Sequence, residues 1–259
     1  MKDPHEGLNP DGTIRTGADR RRVPPEFEPI LSAAAQALRA VAGGAAELHL
    51  YGSVANGTAQ PGVSDVDLLA INVPEGWCRR TSDELTARFS HLCRGVEIGE
   101  GTSSDFLGDD DEAYGNRVFL RHYCLPLAGG NVLRPAAAFL GDARAARGFN
   151  GDIGDALARW RSGSPPARSV ARKTLFAAAG VVSVLSRTWT TDRRDAARLW
   201  ADLEPGRAPE LAALVPWAEG EQEPRASELA GALSPRGIVA SVVEQFESAV
   251  GFWEGPVSQ

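Results

Sequence analysis

Apolar residues recur at helical spacing from Phe27 to Val41 and stop at Gly43-Gly44, which predicts a helix with one buried stripe. The period then changes. Glu47–Tyr51 and Asp67–Val73 are short apolar-rich runs that predict strands, Gly95–Gly99 predicts a third, and Leu125–Ala128 a fourth before a Gly-Gly turn. An amphipathic stretch over 82–93 predicts a helix, and residues 116–124 another. Residues 101–115, with the acidic run Asp109, Asp110, Asp111 and Glu112, read as a loop. Past about residue 150 the strand signals vanish, and Ala, Leu, Arg and Trp dominate. Helices are expected over 152–161, 167–188, 192–203, 207–219 and 226–252, separated by Pro and Gly. The fold class implied is α+β. Residues 1–25, polar and rich in Gly, Pro and charge, form a flexible arm. Residues 26–150 form a domain with a small mixed β-sheet and helices, and residues 151–259 an all-α helical bundle. No internal repeat is evident.

Candidate chemistry concentrates in Leu48–Ile71, LHLYGSVANGTAQPGVSDVDLLAI. It reads as a strand, a Gly-Ser turn, a short helix start and a second strand. Residues two apart on a strand share a face, so Asp65 and Asp67 project together beside apolar Val66, Leu68 and Leu69. Adjacent carboxylates repel unless a positive charge sits between them. Mg²⁺ suits such a pair, because it binds through one or two carboxylates plus phosphate oxygens and water. The Gly52-Ser53 turn offers backbone N–H groups at a helix start, which suits a phosphate.

This tract resembles the nucleotidyltransferases of the DNA polymerase β-like superfamily, whose hallmark is Gly-Ser, a spacer and D-x-D. It is most similar to the aminoglycoside (streptomycin/spectinomycin) adenylyltransferases, through Leu50, Tyr51, Gly52, Ser53, Gly57, Pro61, Ser64, Asp65, Asp67, Leu68 and Leu69. Looser similarity in LPLAGGNVLRP (Leu125–Pro135) and in Val184–Ala201 extends it over roughly residues 26–220.

The resemblance implies a nucleotidyltransferase domain followed by the helical domain, and transfer of a nucleoside monophosphate to a hydroxyl with release of pyrophosphate. AMP from ATP, with Mg²⁺, is the expected donor. Asp65 and Asp67 are then metal ligands, and Gly52, Ser53 and Ser64 nucleotide contacts. A third carboxylate acts as ligand or general base. Glu97 is the first candidate, since Val96 and Ile98 flank it on the opposite face; Asp105 and Glu100 stay open. The polar segment GEGTSSDFLGDDDE departs from the family there. Lys173, Arg172 and Arg187 are expected at the triphosphate, with Arg193 and Arg194 as alternatives. Asp105, Asp152, Asp155, Trp160, Trp189 and the acidic loop could receive a cationic, sugar-containing acceptor. The Arg20–Arg22 run reads as a solvated linker. His91 and His122 receive no role.

Bulk properties narrow the alternatives. A net charge of −7 and a pI near 5.2 argue against a general nucleic-acid binder and are compatible with a cationic small substrate. Cys78, Cys93 and Cys124 lack metal-site spacing and read as reduced thiols of a cytoplasmic protein. The N-terminus has no secretory h-region, and no apolar run reaches the roughly 18 residues of a membrane span. The expected partners are a nucleoside triphosphate and a small-molecule acceptor, with no nucleic acid and no membrane. Two other readings stand beside this one. The first is transfer to a protein or tRNA acceptor, against which the chain's length argues. The second is a non-catalytic nucleotide-binding protein of the same fold.

Overall fold

The computed structural model describes residues 3–41 and 45–253; the expected helix stop at Gly43-Gly44 lies outside them. In chain order the elements begin with β1 (Gly7–Leu8), β2 (Ile14–Arg15), α1 (Glu28–Val41), β3 (Glu47–Tyr51), α2 (Gly52–Asn56) and β4 (Val66–Ile71). Next come α3 (Trp77–Arg88), β5 (Val96–Gly101), α4 (Ser104–Leu107), α5 (Asp111–His122) and β6 (Leu125–Gly129). The helices α6 (Ala143–Asn150), α7 (Ile153–Ser162), α8 (Ala167–Leu185), α9 (Arg193–Leu203), α10 (Ala208–Ala212), α11 (Leu214–Glu219), α12 (Ala226–Leu233) and α13 (Ile238–Ala249) complete the chain. The α+β class holds.

Strands β3 to β6 form one mixed sheet in the order β5-β4-β3-β6. β3 runs antiparallel to β4, with Leu50 opposite Leu68 and Tyr51 opposite Asp67. β4 runs parallel to β5, with Val66 beside Val96 and Asp67 beside Glu97. Alternation then sorts the side chains onto two faces. Leu48, Leu50, Val66, Leu68, Ala70 and Val96 lie on one, in a core with Ile30, Leu31 and Leu38 of α1 and Leu85 of α3. Each of these Val, Leu and Ile side chains stabilises the fold by roughly 1.5–3 kcal/mol on burial. The other face packs Ile71, Leu69 and Tyr51 against Phe106, Phe119 and Leu120. It also holds a buried pair, His49 Nε2 at 2.9 Å from Glu47 Oε2. Glu47 Oε1 accepts the Val132 N–H at 2.5 Å.

The chain divides into two compact units. Unit one is Met1–Glu6, Arg15–Gly108 and Asn116–Ala138, and unit two is Gly7–Ile14, Asp109–Gly115 and Phe139–Gln259. α6, which sequence periodicity missed, puts Ala146 in the same core as Val170, Leu175, Val181, Trp200 and Phe246. Small residues along α8, among them Ala177, Ala178 and Gly180, let neighbouring helices approach closely. Trp200 is fully buried and its indole N–H donates to Gln245 Oε1 at 2.6 Å.

Over its described residues the N-terminal arm carries two buried apolar residues, Ile14 and Val23. Within unit two, Ile14 N donates to Phe139 O at 2.8 Å and Gly141 N to Gly12 O at 3.0 Å. Within unit one, Asp19 N donates to Ala55 O at 3.0 Å and so braces α2.

Several element bounds differ from expectation. α3 starts at Trp77, not 82, because the buried stripe Trp77, Cys78, Thr81 and Leu85 is masked in sequence by intervening charge. β4 spans Val66–Ile71 and β5 runs on to Gly101. The expected loop 101–115 contains α4 and the start of α5; Asp110 Oδ1 caps that start by accepting the Ala113 N–H at 2.8 Å. The stretch 207–219 is two short helices, and 226–252 is broken between Leu233 and Ile238, where Ser-Pro-Arg-Gly interrupts the periodicity.

Candidate active site

Three carboxylates gather at one end of the sheet in unit one. Asp67 is the second residue of β4, paired across to Tyr51 and beside Glu97. Asp65 immediately precedes the strand. Its position is fixed by the parallel ladder running on past the strand ends, where Val66 N donates to Gly95 O at 2.9 Å and Arg94 N to Ser64 O at 3.1 Å. Asp65 and Asp67 are half-buried, and Glu97 is exposed.

Register settles where the candidate third carboxylates point. Glu97 pairs with Asp67 and Glu100 with Ala70. Paired residues share a face, and Ala70 belongs to the core face. Glu100 is therefore on the opposite side from Asp67, where its charge, after burial itself, helps push the Cys78 thiol up to about 11. Asp105 lies in the first turn of α4, and its Oδ2 accepts the Thr102 N–H at 2.7 Å.

The Gly-Ser turn is built tightly against this pair. Gly52 has φ +73°, a left-handed conformation that glycine adopts without steric cost. A Cβ there would overlap Asp67 Oδ2 and lie 3.1 Å from its Cγ. The turn leads directly into α2, where the Tyr51 side chain makes no cap hydrogen bond. Ser53 O accepts from Thr58 N at 3.0 Å and Ala59 N at 3.1 Å, closing the far end of this short helix. The Ser64 hydroxyl accepts the Gln60 N–H at 2.9 Å.

Among the described residues, no group of three or more His, Cys, Asp or Glu converges on one metal position. Asp65 with Asp67 is a donor set of hard oxygens, and Gly52 leaves beside Asp67 the space a Cβ would fill. That set fits Mg²⁺, which needs only one or two carboxylates when phosphate oxygens and water complete its shell.

Arg94 was absent from the sequence-level expectations. Its Nε donates to Asp65 Oδ1 at 2.9 Å, and its Nη2 pairs with Oδ2. The hydrogen bond to Asp65, then the charges of Asp65, Glu97 and Asp67, raise its pKa further. The signal lay in its place three residues before Glu97, at the start of a strand parallel to the one bearing Asp67.

The remaining candidates lie in unit two. Lys173 Nζ donates to Asp152 Oδ1 at 2.7 Å, so an expected phosphate contact and an expected acceptor contact are each other's partners. Arg172 and Arg187 are exposed, Arg187 at a positive φ of 48° just past α8. Arg193 is half-buried over the Phe176 ring at 5.1 Å; burial, then Arg172, lowers its pKa. Arg194 pairs with Glu219. Asp155 is exposed. Trp160 packs on the helical core, and Trp189 is buried with Phe149 at 6.2 Å. Of the acidic loop, Asp111 pairs with Arg147 Nε at 2.6 Å. Arg20 pairs with Glu28 and Arg21 with Asp19, as a solvated surface run does. Cys78, Cys93 and Cys124 are free and buried.

Residues 31–76 match the family model described as nucleotidyltransferase domain. That match supports a nucleotidyltransferase domain in this part of the chain, and the matched segment holds the Gly52-Ser53 turn, Asp65 and Asp67. Among curated protein sequences nothing matches. Among solved structures, the chain is similar to the crystal structure of spectinomycin adenyltransferase AAD(9) from Enterococcus faecialis with ATP and spectinomycin. The TM-score is 0.53 at 11% identity, over 85% of this chain and 98% of that one. At that identity the likeness is one of fold. No helix among the described residues is long and apolar enough to cross a membrane.

Proposed function

We propose that this nucleotidyltransferase transfers a nucleoside monophosphate, AMP from ATP, to a hydroxyl of an aminoglycoside-like or other sugar-containing small molecule, releasing pyrophosphate. The observation that carries the reading is the register that sets Glu97 beside Asp67 while the Gly52 turn closes on Asp67. Few structural demands explain that arrangement, since a solvated strand end needs neither a glycine packed on a carboxylate nor a second carboxylate beside it.

In this mechanism Asp65 and Asp67 hold Mg²⁺, which supplies charge neutralisation on the attacking and leaving oxygens when bound. The Gly52-Ser53 backbone and the Ser53 hydroxyl orient the terminal phosphates and the leaving pyrophosphate. Glu97, exposed to solvent, accepts the proton from the acceptor hydroxyl as its oxygen attacks the α-phosphorus in line with that leaving group. The net charge of −7 favours a cationic acceptor over a polyanionic one.

The test is pyrophosphate release with Mg²⁺ and each nucleoside triphosphate, against aminoglycosides including streptomycin and spectinomycin. Release with one acceptor, abolished by Asp67→Ala, supports the reading. No release with any acceptor, despite Mg²⁺-dependent ATP binding, sinks the aminoglycoside assignment and favours a nucleotide-binding role without turnover.

A further inference from the structure

Arg94 is placed by backbone as much as by charge. Leu92 O and Gly95 O accept the N–H groups of Gly62 and Val66 at 2.8 and 2.9 Å, and Arg94 N itself donates to Ser64 O at 3.1 Å. This ladder fixes the Arg94 Cα beside the residue preceding Asp65. The side chain then grips Asp65 in a two-point fork, Nε to Oδ1 at 2.9 Å and Nη2 to Oδ2. The geometry matches the planar complementarity of guanidinium and carboxylate. Both Asp65 oxygens are thereby engaged. The Asp65 side chain is 17% exposed while that of Arg94 is 68% exposed, so the carboxylate is held and the cation faces solvent. Glu97 and Asp67 also act on the same guanidinium. A positive charge therefore already stands beside all three carboxylates of the site.

We propose that Arg94 is the resident counter-cation of this carboxylate site and exchanges with the divalent ion. In the metal-free protein it neutralises Asp65, relieves the repulsion from Asp67 and Glu97, and keeps the Asp65 carboxylate oriented. A metal ion at Asp65 meets the guanidinium's charge and competes with the fork for the carboxylate's electron density, so its binding favours opening of the fork. The guanidinium, anchored through its backbone next to Ser64 and largely solvent-exposed, is free to swing away. Arg94 is thus a positioning residue whose release is thermodynamically linked to metal binding: what stabilises one state of Asp65 opposes the other. The inference rests on the reading of Asp65 as a metal ligand.

The test is Mn²⁺ binding to the full chain, followed by the loss of free-ion EPR signal, with and without a non-hydrolysable ATP analogue. Arg94→Gln removes the competing charge and should tighten Mn²⁺ binding by roughly two- to five-fold, the range an exposed ion pair can contribute. Its metal-free form should unfold at lower temperature, so the stabilisation on adding Mn²⁺ should exceed that of the wild type. Arg94→Lys, which keeps the charge but loses the fork, should fall between. In wild type, the Arg94 Nε–H resonance should lose its hydrogen-bonded shift on titration with Mg²⁺.

Unchanged or weaker Mn²⁺ binding in Arg94→Gln, together with binding that Asp65→Asn abolishes, overturns the exchange and leaves the metal-ligand reading intact. An Arg94 Nε–H signal unmoved at saturating Mg²⁺ overturns it too. Mn²⁺ binding absent from the wild type and both Arg94 variants, even with the nucleotide analogue, overturns the metal-ligand reading and the exchange together. Circular dichroism confirms that each variant is folded before its affinity is counted.

Discussion

Replacing Gly52 by Ala tests whether the Gly-Ser turn and Asp67 are one device. Two costs are superposed at this position. The first is backbone: φ is +73°, and an L-residue held there costs about 1–2 kcal/mol. The second is contact: the new Cβ would overlap Asp67 Oδ2 and sit 3.1 Å from Cγ and 3.3 Å from Cβ of the same residue. Rotating the carboxylate about its last bond moves the oxygen but leaves Cγ and Cβ too close, so the whole Asp67 side chain must shift. Gly62 separates the two costs. Its φ is +75° and nothing lies within 4 Å of its would-be Cβ, so Gly62→Ala carries the backbone cost alone. Both variants should lose about 1–2 kcal/mol of stability from the backbone, a fall of roughly 2–8 °C in unfolding temperature for a chain of this size. Only Gly52→Ala should lose catalysis, because a misplacement of about 1 Å in a reacting constellation costs on the order of 100-fold. The assay is steady-state pyrophosphate release beside thermal unfolding for both variants. Gly52→Ala with kcat within about three-fold of Gly62→Ala would show that the turn does not position Asp67 for the reaction.

Other predictions follow from register, burial and pairing. Glu97→Gln should lower kcat by about 100-fold or more while Glu100→Gln stays near wild type, since only Glu97 shares a face with Asp67; a general base typically contributes a factor of that order, and equal losses in the two variants would contradict the assignment. Burial, then the charges of Arg121 and Arg134, lowers the His122 pKa from 6.5 to about 4. The unfolded chain therefore binds a proton that the folded chain refuses between those values. Stability should fall as pH drops from 6.5 toward 4, by about 3 kcal/mol, and denaturant titrations of His122→Gln should show a flatter acid limb. Arg147 binds Asp111 Oδ2 at 2.6 Å and Val250 O at 2.9 Å, so Arg147→Met should cost about 2 kcal/mol in chemical denaturation; an unchanged midpoint would refute that. Burial first, then Glu100, pushes Cys78 up to about 11, leaving roughly one thiolate in a thousand at pH 8. Thiol reagents should therefore label the native protein slowly and all three cysteines on unfolding; fast labelling of Cys78 in the native state would show that its burial is wrong.

What the sequence made legible divides along physical lines. Strand alternation and the Gly-Ser to D-x-D spacing are local, and from them the central strands and the pairing of Asp65 with Asp67 could be read directly. Choosing Glu97 over Glu100 needed register, which is a property of two strands at once. In sequence, VEIGEG offers carboxylates on both faces, and only pairing with Val66–Ile71 says which face is the core. The same limit hid Arg94, whose role comes from a parallel neighbour 29 residues away. Helix bounds failed where charge interrupts an apolar stripe, as at Trp77–Leu85, or where the buried residues are mostly Ala and Gly, as in α6; small side chains carry little periodic signal yet bury well.

The acidic run at 109–112 is a strong sequence signal of a different kind. Four consecutive acids look like a surface made for a cationic ligand. In the structure Asp110 caps α5 and Asp111 binds Arg147 within unit two. Acids at a helix start are favoured by the exposed N–H groups and the dipole of that helix, so Asp110 and Asp111 each have a role in the fold. Asp65 and Asp67 differ in kind. No helix start accounts for them, one is held by an arginine that also faces Asp67 and Glu97, and the other is pressed against a glycine that must have φ near +73°. A carboxylate packed where it costs backbone freedom is the better marker of chemistry than a carboxylate that is merely abundant.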